Sequence, residues 1–123
     1  MNACPLCNLD PKKEVVFYED DFVLIVRTKK LKKHRERIMV VWKEHFVSLP
    51  DTQYMYAMMK LIDIGKKLFS YTPKFVVMEG TFQSIKHHWH LVATDLDPKS
   101  EDFDQILKTP WLEVIGTELE GEL

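Results

Sequence analysis

One stretch of this 123-residue chain carries a long helical stripe; nearly everything around it is a short β-prone run close to the next. Between residues 48 and 70, Tyr54, Met55, Met58, Leu61, Ile62, Gly65, Leu68 and Phe69 recur at three- and four-residue steps, which predicts one helix with one apolar face. Ser48-Leu-Pro-Asp51 reads as its start, with a hydroxyl cap, a proline in the first turn and a carboxylate three residues on. Val15–Tyr18 and Phe22–Val26 flank the acidic turn Glu19-Asp-Asp21 and predict a hairpin. Arg37–Trp42, Phe75–Met78 and Ile85–Thr94 are three more strands, and Ser100–Lys108 a short C-terminal helix. The order ββ–β–α–ββ, with links of hairpin length, gives an α+β domain: an antiparallel sheet of about five strands with one main helix packed on it.

No repeat, low-complexity linker or internal boundary interrupts this pattern, so residues 1–123 read as a single domain. Hydrophobic residues make up 46% and charged residues 29%, which excludes global disorder. No apolar run is long enough to cross a bilayer, and the N-terminus has no secretory pattern; a cytoplasmic protein is expected, with no membrane partner. The net charge of −2 is unevenly spread. Residues 27–37 carry seven cations opposed by Glu36 alone, whereas the tail has Glu113, Glu118, Glu120 and Glu122. The basic run is either a solvated loop or a rim that attracts polyphosphate or nucleic acid.

The chemistry concentrates in Gln83-Ser-Ile-Lys-His-His-Trp-His-Leu-Val92. His88 and His90 stand at i and i+2, so in a strand both imidazoles project from one face, while Trp89 and Leu91 pack on the other. Imidazole attacks when neutral and leaves readily, so a pair of them suits phosphoryl chemistry, one as nucleophile and the other as proton donor or oxyanion partner. Gln83 and Ser84, just before the strand, are polar side chains able to hold a phosphate. Cys4-Pro-Leu-Cys7 contains the two cysteines of the chain. The absence of an export pattern argues against a disulfide, and three preceding residues cannot form the strand that a redox CxxC follows. Half of a tetrahedral zinc site, completed by histidines such as His45, stands against two terminal cysteines with no role.

In this order the segments resemble the histidine triad (HIT) family of nucleotide hydrolases and nucleotidyltransferases. Cys4–Cys7 resembles its zinc CxxC, Val16–Leu24 its first hairpin, Arg37–His45 its strand ending in Pro-Lys-x-His, and Gln83–Val92 its Gly-Gln-Ser-Val-x-His-x-His-x-His region. The resemblance implies a HIT-like fold and a nucleotide-binding hydrolase or transferase. In such enzymes a histidine attacks the α-phosphate, a nucleotidyl-histidine forms, and water or another acceptor resolves it. The alternative is a zinc-stabilised binding module that has lost turnover.

Mapped onto this chain, the resemblance makes His88 the nucleophile, His90 the third triad member, and Gln83 and Ser84 phosphate contacts. It implies structural zinc on Cys4, Cys7, His45 and His87, with His88 as the alternative fourth ligand. It also implies a nucleoside phosphate or dinucleoside polyphosphate as substrate and a homodimer; nucleic acid as a partner for loop 27–37 is an expectation from the charge of that loop. In that register Lys86 takes the first triad position. Starting from His87 instead leaves Trp89 as nucleophile, which is chemically impossible. A third register makes His88 the zinc ligand, His90 the nucleophile and Val92 the last position. The acid that grips ribose in the family is replaced around Arg27-Thr28, its asparagine before the Glu-Gly turn is Met78, and its glycine-rich loop is shortened to Gly80-Thr-Phe82.

Overall fold

The computed structural model describes residues 4–29, 31–79, 88–108 and 112–116. Its elements run β1 (Val16–Glu19), β2 (Val23–Arg27), β3 (Arg37–Trp42), α1 (Asp51–Leu68), β4 (Lys74–Met78), β5 (His90–Asp95), α2 (Phe103–Leu107) and β6 (Leu112–Gly116). The strands form one antiparallel sheet in the order β1-β2-β3-β5-β4-β6. The α+β architecture is as expected, with six described strands instead of about five. The added one, β6, pairs along β4 from Lys74↔Gly116 to Met78↔Leu112.

Alternation along the strands separates two cores. Val23, Ile25, Ile38, Val40, Trp42, Phe75, Val77, Leu91 and Ala93 face Ala57, Leu61 and Phe69 of the α1 segment. Leu24, Val26, Met39, Val41, Met78 and Val92 point the other way and are covered by Cys4 and Leu6 of the N-terminal segment. The central strands are therefore buried on both faces, which explains why they read as continuous apolar runs. Helix and sheet approach closely at Gly65, where an added Cβ would lie 2.7 Å from the Phe75 ring.

Three expectations need correction. The cap of α1 is Pro50, with no side-chain hydrogen bond, rather than Ser48; Asp51 and the pair Lys66/Lys67 complement the helix dipole at its two ends. Met55 is not part of the buried stripe but 57% exposed, and Ala57 takes the core position. β5 begins at His90, so His88 and Trp89 precede the strand, while residues 85–87 lie outside the described set. The hairpin turn is held by Asp20, which accepts from the backbone N–H of Phe22 and Val23 and from the hydroxyls of Tyr18 and Tyr56. Burial opposes its charge, but these four donors outweigh it and lower its pKa to about 2.

Candidate metal centre and histidine pair

Cys4, Cys7, His45 and His88 converge behind the sheet, with their ligand atoms all within 4.8 Å of one another. The His88 Nδ1 lies 3.3 Å from each sulfur, and the His45 Nδ1 lies 3.0 Å from the Cys7 Sγ. Sulfur–nitrogen edges of a zinc tetrahedron are about 3.5 Å, as Zn–S and Zn–N bonds of about 2.3 and 2.0 Å require. Two soft thiolates with two imidazoles also form a donor set that zinc favours. The site fits the ion.

Backbone geometry orients His88 toward the two sulfurs. The His88 Nε2 lies 2.7 Å from the Trp42 carbonyl. An N–H donated there leaves the lone pair on Nδ1, facing the sulfurs, which is how outer hydrogen bonds orient metal-binding imidazoles. The peptide N–H of Trp89 donates to Phe46 O, so the segments holding His45 and His88 are tied together. His87 lies outside the described residues, as do Gln83, Ser84 and Lys86. The described cluster thus contains His88, the alternative ligand, and both nitrogens of that ring are occupied in a way that suits a ligand more than a nucleophile.

His88 and His90 do share one face, opposite α1, but not an open pocket. Their exposures are 1% and 6%. The His90 Nδ1 lies 2.9 Å from the His88 carbonyl and donates its N–H there, which makes Nε2 the lone-pair nitrogen. Burial pushes the His90 pKa below its ordinary value; the hydrogen bond to His88 opposes this, and the charges of His88 and Arg37 add to it. Two described cavities lie elsewhere. One, of about 640 Å³, opens between α1 and the sheet beside Tyr54, Met58 and Leu91; another, of about 280 Å³, lies against Phe22, Trp42 and Tyr56.

The basic stretch is largely paired. Arg27 makes a two-bond fork to Glu36, Lys32 and Lys33 reach Glu101, and Arg35 stacks over Tyr71 at 3.9 Å. His34, which the sequence reading did not single out, is the centre of a second polar cluster. Its Nδ1 lies 2.8 Å from the Asp95 Oδ1 and its Nε2 3.2 Å from the Asp102 Oδ1. Tyr71 Oη–H and the Arg35 N–H donate to the other Asp95 oxygen. Burial alone would lower the His34 pKa, but the bond to Asp95 and the charges of Asp95 and Asp102 raise it. These partners lie 61 and 68 residues away, so no local pattern announces them.

No helix among the described residues is long and apolar enough to cross a membrane. No protein-family model matches the sequence, and no curated protein matches it. The structure is similar to that of a histidine triad protein from Clostridium difficile, at 25% identity and a TM-score of 0.56, over 73% of this chain and 87% of that one. The fold is histidine-triad-like.

Proposed function

We propose that this chain binds a nucleoside phosphate and cleaves or transfers it through His90, while a zinc ion on Cys4, Cys7, His45 and His88 serves as a structural tie. The observation that carries this reading is the His90 Nδ1–H donated to the His88 carbonyl at 2.9 Å. That bond fixes the tautomer and ring plane, so the unprotonated Nε2 is the atom able to attack phosphorus. In the proposed step Nε2 forms an N–P bond as the bond from phosphorus to the leaving group breaks. The carbonyl holds the Nδ1 proton while the ring carries positive charge. Water or another acceptor then displaces the nucleotidyl group and returns His90 to its neutral form. This assignment adopts the register in which His88 belongs to the metal and Val92 is last. Gln83 and Ser84 remain the proposed phosphate contacts.

Zinc, when bound, neutralises the two thiolates and links the N-terminal segment to the β3–α1 connection. Its reduced cysteines suit a cytoplasmic setting. A homodimer through the α1 side is part of the reading, supported by Met55 and Met59, which are more than half exposed on that helix. The test is turnover of a fluorescent nucleoside phosphoramidate by the zinc-loaded chain. Hydrolysis should vanish in His90→Ala while one zinc per chain is retained; hydrolysis that persists in that variant refutes the assignment.

A second reading, a binding module without turnover, is favoured by the slight exposure of His90 and by apolar Val92 two residues on. It predicts measurable nucleotide affinity with no hydrolysis of any substrate in a panel.

A further inference from the structure

The smaller of the two cavities is walled mostly by aromatic rings. It holds about 280 Å³ and is lined by Phe22, Trp42, Thr52, Gln53 and Tyr56. Trp42 belongs to the helix-side core, so this space lies on the side of the sheet away from His90. The Phe22 and Trp42 rings are nearly parallel, at 22° with centroids 5.8 Å apart. Tyr56 stands at 85° to both, 5.9 and 6.4 Å away. The three rings thus meet in a right-angled corner.

Each ring is held in place by the fold. Asp20 accepts from the backbone N–H of Phe22 and Val23, and the Lys43 N–H donates to the Phe22 carbonyl, which fixes the turn that presents Phe22. Trp42 closes β3 and is buried, and the Tyr56 hydroxyl donates to Asp20. Rings fixed in this way lose little freedom when a ligand arrives. Phe22 is 53% exposed, so the corner can be reached from solvent.

Charge decides which guest suits it. Asp20 stays ionised behind the Tyr56 phenol, with its pKa lowered to about 2, and Asp21 adjoins Phe22 in the exposed turn. Glu19 is paired with Lys43. A hydrogen bond to a carboxylate pushes electron density into the phenol ring, whose face attracts cations. The aromatic cluster already draws one ammonium: the Lys60 Nζ stands 5.2 Å from the Tyr18 centroid and 5.5 Å from that of Tyr56. Lys60 does not line the cavity, and none of the five residues that do is charged. A bare ammonium entering here gives up strong hydration for a wall with few acceptors, whereas a quaternary one has no N–H to satisfy. Aromatic corners of this kind suit such cations.

We propose that this corner binds a small quaternary ammonium compound, with its methyl groups against Phe22, Trp42 and Tyr56. The site is separate from the histidine pair and does not rest on the functional reading above.

The test is proton NMR titration of the full chain with choline and with the uncharged alcohol in which carbon replaces the choline nitrogen. Choline should bind saturably, its methyl resonance moved upfield by the ring currents, and the alcohol should bind about tenfold more weakly or less. Phe22→Leu keeps an apolar side chain at the turn but removes one ring, and should weaken choline by about fivefold or more. Circular dichroism establishes that the variant is folded. If it is not, Tyr56→Phe, which keeps the ring and loses the link to Asp20, carries the test: a several-fold loss of choline affinity sustains the proposal and an unchanged affinity overturns it. Choline that does not bind saturably, an alcohol that binds as tightly, or a folded Phe22→Leu with wild-type affinity also overturns it.

Discussion

Removing the metal should loosen the fold by a predictable amount. Cys4 and Leu6 are buried against Leu24, Val26, Met39, Val41 and Val92, so the N-terminal segment has some apolar hold of its own. His45 is exposed and Cys7 only half-buried, so a metal would add substantially to the Trp89–Phe46 hydrogen bond in holding them beside His88. A ligand that binds the folded state alone stabilises it by RT ln(1 + [L]/Kd), about 4 kcal/mol at a thousandfold excess over Kd. For a domain of this size each kcal/mol raises Tm by a few degrees, so zinc should lift Tm by roughly 10–25 °C. The assay is differential scanning fluorimetry of chelator-treated protein at pH 7.5, titrated with buffered zinc. Cys4→Ser and His88→Ala should abolish the rise, because each deletes one corner of the tetrahedron. A wild-type Tm that zinc does not move, or a full rise in His88→Ala, would refute the assignment.

Two further outcomes follow from the same structure. Gly65→Ala sets a methyl 2.7 Å from the fully buried Phe75 ring, which is stacked on Phe69 at 5.0 Å; overpacking of about 1–3 kcal/mol should outweigh the roughly 1 kcal/mol gain in helix propensity and lower the urea midpoint. An unchanged or higher midpoint would show that the ring moves aside freely. His34 should give stability a defined pH window: its raised pKa contributes fully below the unfolded value near 6.5 and is lost as pH rises through the folded value, whereas the depressed pKa of Asp95 contributes above about pH 4 and is lost on acidification. Losing one partner of so buried a pair costs about 3 kcal/mol, so the Tm gap between wild type and His34→Gln should be widest between these limits and narrow as pH rises through the raised His34 pKa; a gap that never narrows on the alkaline side would contradict the ion pair.

The elements that could be read from residues alone were those written in alternation or helical stripe. β3 runs from Arg37 to Trp42 as expected, because six apolar-rich residues lie between a basic loop and Lys43. The β1–β2 hairpin follows from its acidic turn, and α1 from its stripe. β6 escaped because Leu112-Glu-Val-Ile-Gly116 is short and lies in an acidic tail, and its strand character depends on β4 as a partner. The start of α1 was misplaced because Ser48 resembles a cap that the backbone does not use.

At the site, strand parity put His88 and His90 on one face, and the CxxC with His45 indicated a metal. Parity does not say which ring meets the metal. The Trp42 carbonyl turns the His88 Nδ1 toward the two sulfurs by accepting the Nε2–H, and a backbone acceptor leaves no trace in the side-chain sequence. The His34 cluster and the burial of Arg37 were hidden for a related reason: both depend on strands and loops distant in the chain.

The division of labour between neighbouring histidines is best tested by quenching the zinc-loaded protein during turnover of a nucleoside phosphoramidate and mapping the nucleotidyl adduct by peptide mass spectrometry under conditions that preserve phosphohistidine. The adduct should be found on His90, with His88 unmodified. An adduct on His88, or turnover that passes through no adduct on His90, would contradict the account.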